Sequence, residues 1–398
     1  MRGDMLTRRA VRALIVVVLL TFAICVLAVS IAESGNAAQK DFISYWAAGQ
    51  LLVRHGNPYD ADAVFRVERS AGFSEAQPLV MRNPPYALVL ALPLGLLSPN
   101  AGVVVWSLWI VAALMTSVRL LWILHGRTAD RTHLLLYVFA PALACVQLGQ
   151  TSTFALLGLV AFLYFRDRRP FAAGLSLPLL LIKPHLVLPL CLVLAMWIVG
   201  RRAWSTLAGV AVAAVAPIGV AMYFRAELLA DYLPVLHAGH QDSALIPTVS
   251  SLVRMLLFRG AGWAQAIPVS LASVWAARYY WKRRSKWDWD VDGAPLILIS
   301  VWTAPYSWFT DEILVAPAIL RGLHLAGQRD WPRRLFALLD AVALGLVIWG
   351  VPLVSGAFLW TTTAWLLWYR YATGQSTERA GEELTSGRSK PATVPSQA

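Results

Sequence analysis

The sequence predicts an all-α, polytopic membrane protein, and three observations carry that prediction. Of 398 residues, 58% are apolar and only 14% charged, with 18 Trp, a balance that leaves apolar runs too long for one water-soluble core. Those runs recur along the whole chain near the length that spans a bilayer. The Lys and Arg behind the net charge of +12 sit in short clusters between the runs, where the positive-inside rule places them. That pattern disfavours nucleic-acid binding as the reason for the basic balance.

The first span is expected over residues 10–32, an apolar run of about 20 residues with Arg2, Arg8, Arg9 and Arg12 at its N-terminal end, so the N-terminus should be cytoplasmic. Ala-Val-Ser-Ile-Ala at 28–32 imitates a signal cleavage site, but the run is long for a signal peptide and a retained anchor is the preferred reading. Residues 33–83 then form a first periplasmic loop with Glu33, Asp41, Asp60, Asp62, Glu68 and Glu75 against Lys40, Arg54, Arg66, Arg69 and Arg82. A polar stretch this long in an otherwise hydrophobic chain is the natural place for chemistry. Within it Phe42, Tyr45, Trp46, Gly49, Leu52 and Val53 recur at helical spacing, which predicts an amphipathic helix lying at the membrane surface. Residues 84–99 are apolar but, at about 14 residues, short for a span, and Pro93 and Gly95 interrupt them. A re-entrant or in-plane helix is expected there, with a tilted span as its rival.

Further apolar runs thread as 101–124, 132–148, 151–165, 170–183, 185–199, 203–224, 262–281, 293–309, 313–324, 335–350 and 352–369, which with the first makes a bundle of about 12 transmembrane helices. If 84–99 and 250–259 do not cross, the basic loops 127–131, 166–169, 201–202, 282–286 and 329–334 all fall inside. Residues 225–260 then become a second outer region containing Asp231, His237, His240, Asp242 and Arg254. His237 and His240 have metal-compatible spacing without a third ligand, so no metal site is expected. Cys25, Cys145 and Cys191 lie singly in apolar segments and suggest neither disulfide nor zinc. Residues 1–370 read as one integral-membrane domain, and 371–398, rich in Gly, Ser, Thr, Glu and Pro, as a disordered cytoplasmic tail.

Under this topology three polar motifs reach the same side as Asp41: Gln147-Leu-Gly-Gln150-Thr-Ser152, Lys183-Pro184-His185, and Pro305-Tyr306-Ser307-Trp308-Phe309-Thr310-Asp311-Glu312. Ionisable groups at membrane depth are expensive unless they face a cavity or a partner, which makes each a functional candidate. Each also has a plainer reading. Asp41 suits a helix N-cap, Lys183 a side chain snorkelling to headgroups, and Gln147 and Gln150 interhelical hydrogen bonding. Asp311 and Glu312 suit the first turn of a helix, where the dipole favours acids.

These pieces, in this order, resemble glycosyltransferase family 87. The likeness rests on Asp41-Phe-x-x-Tyr45-Trp46-Ala-Ala-Gly49, Gly56-Asn-Pro-Tyr-Asp60, Asn83-Pro-Pro-Tyr86 with Pro93 beyond, Gly149-Gln150-Thr-Ser, Ala173-Gly174, Lys183-Pro184, and Pro305-Tyr306 ahead of Asp311. It covers roughly residues 40–320. The resemblance implies a GT-C-like membrane enzyme moving a sugar, mannose first among them, from a polyprenyl-phosphate donor to an envelope glycan or glycolipid on the outer side of the cytoplasmic (inner) membrane. It also implies that an acidic residue of the first outer loop, here Asp41, acts as base. The residue after Lys183-Pro184 varies in the family, so His185 enters only as a neighbour of Lys183.

The chemistry such a donor needs can be sought independently: a greasy groove for its chain, cations for its phosphate, and a base for the acceptor hydroxyl. Asp41 is the candidate base. Lys183, with Arg82 or Arg254 as helpers, is the candidate for the phosphate. Tyr45, Trp46 and Trp308 offer flat faces for a sugar, although interfacial anchoring explains such aromatics equally well. Gln150, His185, Tyr306 and Asp311 complete the substrate-binding candidates. There is no glycine-rich phosphate loop and no His-Glu-x-x-His helix, and neither cofactor nor metal is expected. The alternative reading is a transporter or flippase for a lipid-linked or anionic substrate, since broken helices with polar residues at mid-depth also mark transporters. Against it stands the lack of a convincing repeat between the two halves. A structural subunit of an envelope complex would leave the aligned polar groups without a task.

Overall fold

The computed structural model describes residues 41–237, 246–258, 261–327, 329–353 and 355–386. The expected first span, Lys40, His240, Asp242 and the last residues of the tail lie outside them. Every described element is helical and none is a strand, as the all-α expectation requires. The helices are α1 (Phe42–Val53), α2 (Ala61–Ser70), α3 (Leu88–Ala91), α4 (Pro99–Leu124), α5 (Ala140–Leu148), α6 (Ser152–Phe165), α7 (Pro170–Leu180), α8 (Leu188–Gly200), α9 (Trp204–Phe224), α10 (Leu228–His237), α11 (Val249–Leu252), α12 (Ala266–Arg283), α13 (Trp289–Trp302), α14 (Ala316–Ala326), α15 (Asp330–Ile348) and α16 (Thr361–Ser386).

Among the described residues α4 and α9 are each long and apolar enough to cross a membrane, and α7 with Pro184–Gly200 passes the same test as a pair bent by 116°. The bend has a covalent cause. Pro184 brings no N–H to the helical ladder and steers Lys183 out of helical geometry, to φ −125° and ψ 72°, as a residue before proline is steered. Every other threaded run within the described residues contains helix, but α5, α6, α13 and α14 are short. Residues 84–99, where a re-entrant or in-plane helix is expected, form only broken turns, Pro85–Ala87, α3 and Leu94–Leu96. α16 continues to Ser386, past the expected start of the tail at 371.

The basic loops gather at one end of the bundle. Arg166 makes a bidentate pair with Asp290 at 3.1 and 2.8 Å, Arg333 and His324 each approach Asp130 to 3.9 Å, and Arg329 donates to the Ala372 carbonyl at 2.9 Å. α6 runs from this end, at Arg166, to Ser152 at the other, about 20 Å away at 1.5 Å per residue.

That other end is where α1 lies, and there the structure corrects the sequence reading. α1 is not a surface helix. Ten of its twelve residues are buried, enclosed by α2, α3, the turn Leu94–Leu96, α4 and α9. The close approach is made by glycines. A Cβ on Gly49 would stand 2.1 Å from the Ala91 carbonyl oxygen, and one on Gly95 would stand 2.2 Å from Gly49. The polar groups on this helix are satisfied inside the protein: Trp46 Nε1 donates to the Leu97 carbonyl at 3.0 Å and Gln50 Nε2 to the Gly95 carbonyl at 2.7 Å. Residues 84–99 form the wall that turns a helix of mixed composition into a buried one. α2, by contrast, is amphipathic, burying Val64 and Glu68 and exposing most of the rest.

Candidate active site

Four segments, far apart in sequence, converge at the N-terminal end of α6. Gly149 ends α5 at φ 72°, a left-handed position that glycine occupies without strain. Its carbonyl is pinned by Trp106 Nε1 at 2.7 Å. The turn it makes delivers Gln150, Thr151 and Ser152. The helical turn Phe309–Val315 packs against both α5 and α6 and places Asp311 beside Ser152, whose hydroxyl donates to Asp311 Oδ1.

Lys183 arrives from the break between α7 and α8. The chain there has lost helical partners for its last carbonyls, and Asn83-Pro-Pro-Tyr86 supplies replacements. Asn83 Nδ2 donates to the Ile182 carbonyl at 3.0 Å and Tyr86 OH to the Leu181 carbonyl at 2.5 Å. The lysine side chain, 13% exposed, pairs with Asp311, 1% exposed, at 2.7 Å. It also donates to Gln150 Oε1 at 2.8 Å and to Ser152 Oγ at 3.1 Å. Snorkelling to headgroups is therefore not what Lys183 does. Asp311 Oδ2 accepts the Trp308 N–H at 2.8 Å, so its first-turn role and its ion pair coexist.

Asp41 closes the cluster from the start of α1. Its carboxylate makes no capping bond to its own helix and instead accepts Gln150 Nε2. Burial pushes the Asp41 carboxyl above its ordinary range; the Lys183 charge and the Gln150 hydrogen bond pull it back, and the Asp311 charge adds to the rise. Asp311, Lys183, Gln150 and Asp41 thus form one continuous chain of contacts.

The remaining candidates separate. Tyr306 and Trp308 are half-buried, with rings 6.4 Å apart, and His185 lies 5.8 Å from Tyr306. Tyr45 and Trp46 are only 6% and 5% exposed. The Tyr45 ring packs on Trp106 at 4.9 Å, which corrects the expectation that these two present open faces. Arg82 is exposed, and its carbonyl accepts Tyr232 OH from α10 at 3.4 Å. Arg254 is fully buried on the π turn Val253–Leu257, near the end of α13, where Ser250 Oγ donates to the Thr303 carbonyl at 2.8 Å. Gln147 is exposed and stands apart from Gln150. Glu312 faces away from the site, accepting Thr361 Oγ1 and Trp365 Nε1 and tying the turn to α16.

Ser152, Asn83 and Tyr86 are parts of the site to which the sequence reading, although it quotes their motifs, gives no role of their own. Asn-Pro-Pro-Tyr is a rigid turn with two side-chain donors, and a proline-broken helix with spare carbonyls lies elsewhere in the chain; pairing the two was the available signal. Among the described residues no group of His, Cys, Asp and Glu has the arrangement of a metal site.

A buried acid–base cluster in a bundle of apolar helices, at the end opposite its basic loops, marks a functional site of a membrane protein. The particular class comes from comparison: the model of glycosyltransferase family 87 matches residues 82–298, more than half of the chain, and the protein belongs to that family. It is a membrane glycosyltransferase. The match takes in Arg82, Gln150, Ser152, Lys183, His185 and Arg254, while Asp41, Tyr306 and Asp311 lie outside it. No curated protein and no solved structure matches the chain.

Proposed function

We propose that this glycosyltransferase moves a hexose, most simply mannose, from a polyprenyl-phosphate donor to an envelope glycan or glycolipid acceptor, with inversion, and that Asp41 is its base. The observation that carries the reading is the convergence of Asp41, Gln150, Lys183 and Asp311 at one buried level, from segments separated by up to 270 residues of chain. In the proposed reaction the acceptor hydroxyl attacks the anomeric carbon while its proton passes to the Asp41 carboxylate. The bond from that carbon to the phosphate oxygen breaks, and polyprenyl phosphate leaves with the electron pair as a stable anion, so the scheme needs no general acid. Burial that raises Asp41 makes it a stronger base than a solvated aspartate.

A cation has to meet the phosphate; Lys183, Arg82 and Arg254 are the candidates. Tyr306, Trp308 and His185 line the side of the cluster where a sugar ring would sit. Helix count and orientation belong to the same proposal: about 12 crossings, basic loops inside and the Asp41 cluster outside, facing the lipid-linked donor.

The test is transfer from radiolabelled polyprenyl-phosphate mannose by membranes holding the wild type or Asp41→Asn. A positioned base supplies about 100- to 10,000-fold. The variant should therefore lose at least about 100-fold in transfer while accumulating in the membrane at wild-type level. Full transfer by Asp41→Asn removes Asp41 from the mechanism.

A further inference from the structure

We propose that Lys183 is a positioning residue and not a ligand of the donor phosphate: it orients Gln150, Gln150 holds Asp41, and the phosphate is received on the Arg82 side of the site. This rests on the donor and base assigned above.

The first argument is a count of protons. A lysine ammonium has three N–H donors and no acceptor. Lys183 directs them to Gln150 Oε1 at 2.8 Å, Ser152 Oγ at 3.1 Å and Asp311 Oδ1 at 2.7 Å. A phosphate oxygen would have to displace one of the three. Displacing Asp311 leaves a buried carboxylate without its cation, and displacing Gln150 releases the amide that holds Asp41.

The second argument concerns Gln150. Lys183 can only donate and the Asp41 carboxylate can only accept, so the group between them needs an acceptor at one end and a donor at the other. A side-chain amide has both, and its orientation is fixed by its neighbours: Oε1 to Lys183, Nε2 to Asp41. The amide carries no charge of its own. It keeps the two ions apart, so that Lys183 is neutralised by Asp311 and Asp41 keeps its basicity.

The third argument is electrostatic and geometric. With both carboxylates ionised, the cluster holds two negative charges against one positive, a poor resting place for an anionic phosphate. In an inverting displacement the attacking hydroxyl and the leaving group also occupy opposite faces of the anomeric carbon. A cation one side chain away from the base stands on the attacking face. Arg82 stands elsewhere. It is exposed, and its backbone is held by the Tyr232 hydroxyl and by the neighbouring Asn83 bond to Ile182. Tyr306 is within electrostatic reach of Arg82 as well as of Asp41 and Asp311.

The experiment separates binding from turnover. The purified protein in nanodiscs is titrated with undecaprenyl phosphate, without sugar, and binding is read by native mass spectrometry. Arg82→Gln should bind at least about tenfold more weakly, a loss of about 1.4 kcal/mol. Gln150→Ala, which leaves the Lys183–Asp311 pair in place, should bind within about twofold of wild type, as should Lys183→Met combined with Asp311→Leu, a pair of changes that avoids a stranded buried charge. In transfer assays Gln150→Ala should lower kcat with the donor KM unchanged. The groups facing Asp41 are Gln150, Lys183, Asp311, Tyr45 and Tyr306; of these Gln150 and Lys183 lower it. Removing Gln150 should therefore move the acid limb of the pH–rate profile to higher pH, which a merely structural defect would not do. Loss of undecaprenyl phosphate binding by the Lys183 double variant, with Arg82→Gln binding normally, overturns the proposal. Failure of the wild type to bind the lipid at all strikes instead at the donor assignment beneath it.

Discussion

Asp311→Asn is the substitution that asks most of this site. The carboxylate is 1% exposed and pairs with a lysine that is 13% exposed, so the variant keeps shape and volume while stranding an ammonium among helices. Removing one partner of a buried pair costs about 3–5 kcal/mol, because the charge left behind is neither solvated nor compensated. The amide nitrogen also turns a donor toward Ser152 Oγ or the Trp308 N–H, both of which now donate to Asp311. The expected result is a midpoint of thermal aggregation several degrees below wild type, measured on the detergent-solubilised protein by fluorescence-detected size exclusion, together with loss of sugar transfer. Lys183→Met should show a similar fall. The double change Lys183→Met with Asp311→Leu should recover most of the stability and none of the activity, since neither charge remains to be satisfied. Single variants as stable as wild type, or a double variant whose loss is the sum of the two, would show that these side chains are not coupled as the 2.7 Å contact implies.

How much of this was legible beforehand follows from what each residue's neighbours are. α4 and α9 were readable because a long apolar run needs no partner to declare itself. The polar positions Asp41, Gln150, Lys183 and Asp311 were readable for the opposite reason, since such groups in a hydrophobic chain ask for a task. Their pairing was not readable. Nothing local links Lys183 to Asp311 rather than to Asp41, and the choice depends on Gly149 turning Gln150 into the gap. α1 misled because a helical pattern records which residues are apolar and not what covers the rest. Its Gln50 falls off the apolar stripe and looks outward until Gly95 and Leu97 provide carbonyls for it. Tyr45 and Trp46 were for the same reason assigned to substrate when their surfaces are occupied by protein.

Two further predictions test the scaffold. Gly49→Val should abolish accumulation of folded protein, because its Cβ would stand 2.1 Å from the Ala91 carbonyl oxygen, and backbone on both sides leaves nothing flexible to move. Wild-type yield and elution of that variant would disprove the close packing of α1 on residues 88–97. The last prediction concerns Glu68, which is fully buried and whose two oxygens both accept the Leu79 N–H at 3.2 Å. Burial pushes its carboxyl up to about 7, and the Leu79 hydrogen bond offsets part of the rise. A carboxyl raised in the folded state binds its proton more tightly there than in the unfolded chain. Stability should therefore be unaffected at a pH below the ordinary 4.5, fall as pH climbs from there to about 7, and stay reduced above, by up to about 3 kcal/mol. Glu68→Gln keeps an oxygen for Leu79 and removes the ionisation, so it should melt higher than wild type at pH 8 and match it near pH 4.5. A variant less stable than wild type at pH 8 would mean that the charge, not the neutral acid, is what holds residues 71–81 against α2.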